Sequence, residues 1–334
     1  DRVKLDDINM SKEELESFDR VFIVACGTAY HAGLVGKTII EKLAKIPVEV
    51  DIASEFRYRD PLITEKSLVI VVSQSGETAD TLAVLRDAKK IGAKVLAITN
   101  VVGSSVSREA HHVIYTWAGP EIAVASTKAY ETQLIALYVL GLYFGEIKGT
   151  LDSKLSEEIK EELLGLPEKV ELILNKKDEL QKYASKHYMN KDLFFLGRGV
   201  DYAVALEGSL KLKEISYIHS EAYAGGELKH GPIALIEKET PVIALLTEDR
   251  LKDKMISNIR EVVTRGAKVL GIAIEGDEDA KEVCDDIIYI PRTNPLLTPV
   301  LSVVPLQLIA YYMAKQKGCD VDKPRNLAKS VTVE

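Results

Sequence analysis

Cysteine is scarce in this chain: Cys26, Cys284 and Cys319 are the three in 334 residues. An odd, widely scattered set supports neither a disulfide framework nor a zinc cluster, and these thiols are expected to be reduced. Positive charge is also in deficit. Lys and Arg number 43 against 51 Asp and Glu, a net charge of -8 with no basic cluster on one periodic face, which excludes nucleic acid as an expected partner. No apolar run approaches the roughly 20 residues of a bilayer span, so no membrane partner is expected. No charged-then-apolar leader opens the chain, which is therefore read as cytoplasmic. It begins at Asp1 rather than Met, as a processed piece or a cut from something longer would. His111 and His112 are adjacent, but neighbours in a strand point to opposite faces, and no metal site is expected.

What is present describes an α/β protein long enough for two cores. Arg20–Ala25 reads as a buried parallel strand, followed by helical spacing over 29–45 and a second strand at Pro47–Ile52. Leu68–Val72, a helix over 78–91, the strand Lys94–Thr99, a short strand near Val113–Tyr115 and a helix from Ser126 to about Phe144 complete a first domain over residues 1–150. Residues 151–190 are charged and helix-prone, with one helix opening at Ser156 and another over 178–187, and read as a connector. A strand returns at Asp192–Leu196, opening a second domain over 191–318 with a tail at 319–334.

The order of elements then repeats. Cys26-Gly27 is echoed by Arg198-Gly199, Ser54-Glu55 by Ser220-Glu221, and Gly92-Ala93-Lys94-Val95-Leu96 recurs letter for letter at 266–270. Three landmarks in order at nearly one offset argue for two copies of one unit. The stretch Ser73-Gln74-Ser75-Gly76-Glu77-Thr78 joins a strand to a helix start. Its hydroxyls and backbone N–H groups suit a phosphate, although Ser and Thr here could merely cap a helix. The second copy has Thr247-Glu248-Asp249-Arg250 there, and two carboxylates would repel a phosphate. Loss of the hydroxyl turn in one copy favours the anion site over a requirement of the fold.

Glu207, Lys211 and Glu214 share a helix face by spacing. Exposed ion pairs are the plain alternative to a buried, proton-moving set. The glycines of Glu221–Pro232 predict an irregular loop carrying His230. In the tail, Lys329 is either solvated or a desolvated amine able to form an imine with a ketone.

Cys26-Gly27-Thr28, 53–58, 73–78, Val124-Ala125-Ser126-Thr127-Lys128, Leu206-Glu207-Gly208, Lys211–Glu214, Glu227–Pro232 and the tail together resemble the isomerase part of the glucosamine-6-phosphate synthase family, the isomerizing glutamine:fructose-6-phosphate amidotransferases. The resemblance implies two tandem sugar isomerase (SIS) domains, each a mainly parallel sheet flanked by helices in a flavodoxin-like, three-layer sandwich. It implies that Thr28, Ser73, Gln74, Ser75 and Thr78 hold the phosphate of fructose 6-phosphate, and that Val124 and Ser126 bind its hydroxyls. His230 would open the ring from the neighbouring subunit of a homodimer. Lys329 would form the imine, Glu214 would move a proton between C1 and C2, Lys211 would assist and Glu207 would support. Fructose 6-phosphate would yield glucosamine 6-phosphate with ammonia and glucose 6-phosphate without it, with no cofactor or metal. Two departures stand out. Ala29 replaces a frequent Ser, and the family's glutamine-hydrolysing domain is missing, so no glutaminase activity is expected. A regulatory sugar-phosphate-binding SIS protein and a deaminase or deglycase remain as alternatives.

Overall fold

The computed structural model describes residues 2–333. It divides into two compact units: the residues up to Lys160 together with those from Ala328 onward, and Glu161–Leu327. The first contains α1 (Lys12–Ser17), β1 (Arg20–Ala25), α2 (Thr28–Ala44), β2 (Val48–Ile52), α3 (Ala53–Phe56), β3 (Ser67–Ser73), α4 (Ala79–Ile91), β4 (Lys94–Thr99), α5 (Ser105–Glu109), β5 (His112–Tyr115) and α6 (Lys128–Lys148). The division falls within α7 (Ser153–Leu174). The second unit continues with α8 (Lys177–His187), β6 (Asp192–Gly197), α9 (Val200–Ser216), β7 (His219–Ala224), β8 (Pro241–Leu246), α10 (Lys252–Val263), β9 (Lys268–Ile274), β10 (Asp286–Ile290) and α11 (Thr298–Gln316).

Each unit has a five-stranded, wholly parallel sheet. The orders are β2-β1-β3-β4-β5 and β7-β6-β8-β9-β10, so the two topologies are the same. The central strands read as unbroken apolar runs because both of their faces are covered. In the first unit Phe22, Val24, Val69 and Val71 pack with Val84, Leu85 and Ala88 of α4. On the opposite face, Gly33 of α2 lies close over Ile23.

The repeat is structural, with one correction. Gly27 (φ 54, ψ -127) and Gly199 (φ 57, ψ -130) cap α2 and α9 in the same unusual conformation. The echo of Ser54-Glu55 in Ser220-Glu221 does not hold. Val21 pairs with Val48 and its counterpart Leu193 pairs with Ser220, so Ser220 stands where Val48 does. Extending that register puts Glu227 opposite Glu55 in the repeat. The expected irregular loop is also corrected: Glu221–Ala224 completes β7, and Gly225–His230 is a 3₁₀ segment. β7 is an edge strand, half its residues polar, and so lacked the apolar signature of a central strand.

Candidate active-site residues in the two units

In an open parallel sheet, ligands bind beyond the carboxyl ends of the strands where the strand order reverses. In the first unit that point lies between β1 and β3. β1 leads through Gly27 into Thr28, the first residue of α2, and β3 ends at Ser73. A Cβ built on Gly27 would meet no atom within 4 Å, so the space over this turn is open.

The turn after β3 is fixed by its own hydroxyls. Ser73 Oγ accepts from Gly76 N at 3.0 Å and lies 3.1 Å from Thr78 Oγ1, while Ser75 Oγ accepts from Glu77 N at 3.2 Å. Gly76 has φ 67, and a Cβ there would overlap the Ser104 side chain, so glycine is required twice over. The one acid of the turn is directed away. Glu77 Oε1 accepts from Ser105 N at 2.7 Å at the start of α5, and these Ser105 hydrogen bonds hold its pKa below the ordinary carboxylate value. The alternative of a simple side-chain cap is not what forms. Thr78 is the N-cap of α4 without a side-chain cap bond. The first N–H of α4, that of Ala79, instead donates to the carbonyl of Val331 at 3.1 Å.

That bond seats the tail in the first unit. Lys329 is half-buried, and its Nζ donates to Ala123 O at 2.8 Å and to Ser126 Oγ at 3.4 Å. Val124 lies between these two residues in the chain, just before α6. The turn is held by Glu121, whose carboxylate accepts from Ala129 N at 2.9 Å and Thr127 N at 3.3 Å. Glu121 was not singled out from the sequence, because its distance from the helix start matches no capping pattern. A frayed tail is the ordinary state of a chain end. Here a lysine is drawn onto a carbonyl and a serine hydroxyl.

In the second unit, α9 carries Glu207 and Lys211 at 0% and 1% side-chain exposure and Glu214 at 20%. Lys211 Nζ lies 3.5 Å from Glu207 Oε1 and is hydrogen-bonded to Glu214 Oε2. Exposed surface pairing is thereby ruled out. Burial alone would lower the Lys211 pKa, but the two carboxylates more than offset it and raise the pKa above the ordinary value, so the amine stays charged. His230 sits elsewhere, exposed at the end of the 3₁₀ segment after β7. The sites named from sequence thus fall in two sets. Thr28, Ser73–Thr78, Val124, Ser126 and Lys329 belong to the first unit, and Glu207, Lys211, Glu214 and His230 to the second.

Two of the three thiols are disfavoured as thiolates. Burial raises the pKa of Cys26, and burial with Asp285 nearby raises that of Cys284 to about 12. Among the described residues no group of three or more His, Cys, Asp or Glu is placed to hold a metal, and no helix is long and apolar enough to cross a membrane.

Comparison with known proteins agrees with this architecture. The SIS domain family matches residues 14–143 and 188–315. The glutamine--fructose-6-phosphate aminotransferase [isomerizing] of Clostridium acetobutylicum is 68% identical over 332 residues, which are 99% of this chain and 55% of that protein. Its namesake from Clostridium perfringens is 70% identical over 334 residues, 99% of this chain and 55% of that protein. The chain therefore spans about half the length of these curated relatives. Among solved structures, the C-terminal domain of glucosamine-fructose-6-phosphate aminotransferase from Francisella tularensis superposes with a TM-score of 0.89 at 43% identity, covering 94% of this chain and 89% of that one. With two family matches in one chain and a like-sized relative of the same fold, the chain belongs to the SIS-domain family, as a counterpart of the isomerase domain of the glutamine–fructose-6-phosphate aminotransferases.

Proposed function

We propose that this chain binds fructose 6-phosphate and interconverts ketose and aldose: with ammonia, an imine formed on Lys329 is displaced and glucosamine 6-phosphate results, and without it the open-chain ketone itself is isomerised to glucose 6-phosphate. The observation that carries the reading is the seating of Lys329 on Ala123 O and Ser126 Oγ, with Val331 on the N-terminus of α4, the helix that follows the hydroxyl turn.

The phosphate anchor consists of Thr28, Ser73, Gln74, Ser75 and Thr78 with the N-termini of α2 and α4. It is a neutral donor set at two positive helix ends, able to hold a dianion. Ala29 supplies no hydroxyl, so backbone N–H groups take that share. The sugar hydroxyls meet Val124 and Ser126. His230, contributed by the second subunit of a homodimer, donates a proton to the ring oxygen as the C2–O bond opens. Lys329 Nζ attacks the C2 carbonyl and water leaves. Ammonia then displaces the lysine, and Glu214 takes the proton from C1 and returns it to C2. Lys211 steadies the developing charge on the sugar oxygens, and Glu207 holds Lys211 in place. Anchoring the remote phosphate orients C1 and C2 against these groups.

Ammonia would come from a separate glutamine-hydrolysing domain or from solvent, and the cytoplasm, where reduced thiols persist, is the proposed location. The test is incubation with fructose 6-phosphate, with and without ammonium, and assay of both products. Glucosamine 6-phosphate only with ammonium, and glucose 6-phosphate without it, are expected. No turnover in either condition would sink the catalytic reading and leave a sugar-phosphate sensor.

A further inference from the structure

The second unit keeps the backbone of an anion cradle and fills it. Strand register makes Asp201 the counterpart of Ala29, two residues past the capping glycine, and Glu248 the counterpart of Ser75. In the first unit those positions carry short side chains and the space over Gly27 is open. In the second unit both carry carboxylates, and both turn inward. Asp201 is 2% exposed; its Oδ2 accepts from Thr247 N at 2.8 Å and Glu248 N at 3.2 Å, and its Oδ1 accepts from Thr247 Oγ1 at 2.5 Å. Glu248 Oε2 accepts from Val200 N at 3.1 Å, the first N–H of α9, and its Oε1 accepts from Arg250 Nη2 at 2.8 Å. A Cβ built on Gly199 would land on Glu248 Oε2, in the very direction that is empty over Gly27.

We infer that Asp201 and Glu248 are internal ligands: the second unit retains a tetrahedral-oxyanion site at the N-terminus of α9 and occupies it with its own carboxylates. Three backbone N–H groups and one hydroxyl from the β8 turn and α9 are satisfied by these two side chains. This explains how a turn rich in acid sits at a helix N-terminus that would otherwise attract a phosphate. It also ties the first turn of α9 to the end of β8. The inference rests on reading the first unit's turn as a phosphate site, and the two are separable by stoichiometry.

The experiment converts the second cradle into the first, with Asp201→Ala and Glu248→Ser made together, and titrates parent and variant with inorganic phosphate at constant ionic strength set by chloride. Binding by the parent reports the first unit's site. The variant is expected to bind one phosphate more per chain, and its Tm, lowered without phosphate, to rise saturably by a few degrees more than the parent's. Equal stoichiometry and equal phosphate response in parent and variant would overturn the inference. A parent that binds none while the variant binds one would instead refute the reading of the first unit alone. If the double variant does not fold, Glu248→Ser by itself is scored by the same stoichiometry and the same two outcomes.

Discussion

α2 and α9 are the same helix in two copies, yet one buries Val35 and Ile39 at 0% and 1% exposure where the other buries Glu207 and Lys211 at 0% and 1%. Both follow a glycine of the same conformation, and both lie over a parallel sheet of the same order. The apolar version shows that the fold has no need of a charged pair there. Burying two charges costs several kcal/mol per ion before their attraction is counted, so a buried pair is weak evidence of a stability role. The cradles differ in the opposite sense. At the start of α2 the chain leaves space, and at the start of α9 it closes that space with Asp201 and Glu248. One unit has an open turn and an apolar helix, and the other has filled the turn and charged the helix.

The sharpest way to break this comparison is to give α9 the residues of α2. Lys211→Ile alone removes the cation that lies 3.5 Å from the buried Glu207 carboxylate and is expected to lower stability by about 3–5 kcal/mol in denaturant unfolding. Adding Glu207→Val restores the pattern of α2, and the double variant is expected to regain parental stability or better while producing neither sugar phosphate. A double variant as unstable as the single would show that the pair is structural.

A smaller effect separates the cradles by pH. Burial raises the Asp201 carboxyl from 3.8 to about 6, with Glu248 adding to the rise and the Thr247 and Glu248 hydrogen bonds opposing it. Between those values the folded protein holds a proton that the unfolded chain has released, so this group's contribution to stability falls as pH rises, by up to about 3 kcal/mol. Asp201→Asn cannot titrate. Its stability relative to the parent should therefore improve by up to that amount between pH 4 and pH 7, as measured by urea unfolding at each pH; a constant difference would contradict the assignment.

In the first unit, Gly76→Ala should cost about 1–3 kcal/mol through its positive φ and the Ser104 overlap, and weaken phosphate binding with it. Gly27→Ala meets no neighbour. Its cost should be backbone strain alone, about 1–3 kcal/mol at φ 54 and ψ -127, while under the proposed function its methyl group intrudes on the phosphate. Thermal unfolding and a fructose 6-phosphate titration of the two variants distinguish these outcomes.

Much of this was legible in the sequence. Arg20–Ala25 and Leu68–Val72 declared themselves because strands covered on both faces must be apolar throughout. Glu207, Lys211 and Glu214 could be placed on one face by spacing, but spacing does not say whether that face is buried. β7 was missed because an edge strand tolerates His219, Ser220 and Glu221. The seat of Lys329 was invisible because one of its partners is a backbone carbonyl, which any residue at 123 would supply. The pairing of Asp201 with Thr247 and Glu248 joins residues far apart in the chain whose types read only as acid and hydroxyl.

The central claim is that the lysine of the tail forms the imine. Borohydride reduction of the protein with fructose 6-phosphate, followed by peptide mapping, tests it most directly. The account predicts a single sugar-phosphate adduct on Lys329, absent in Lys329→Ala; an adduct on any other lysine, or none while turnover persists, would contradict it.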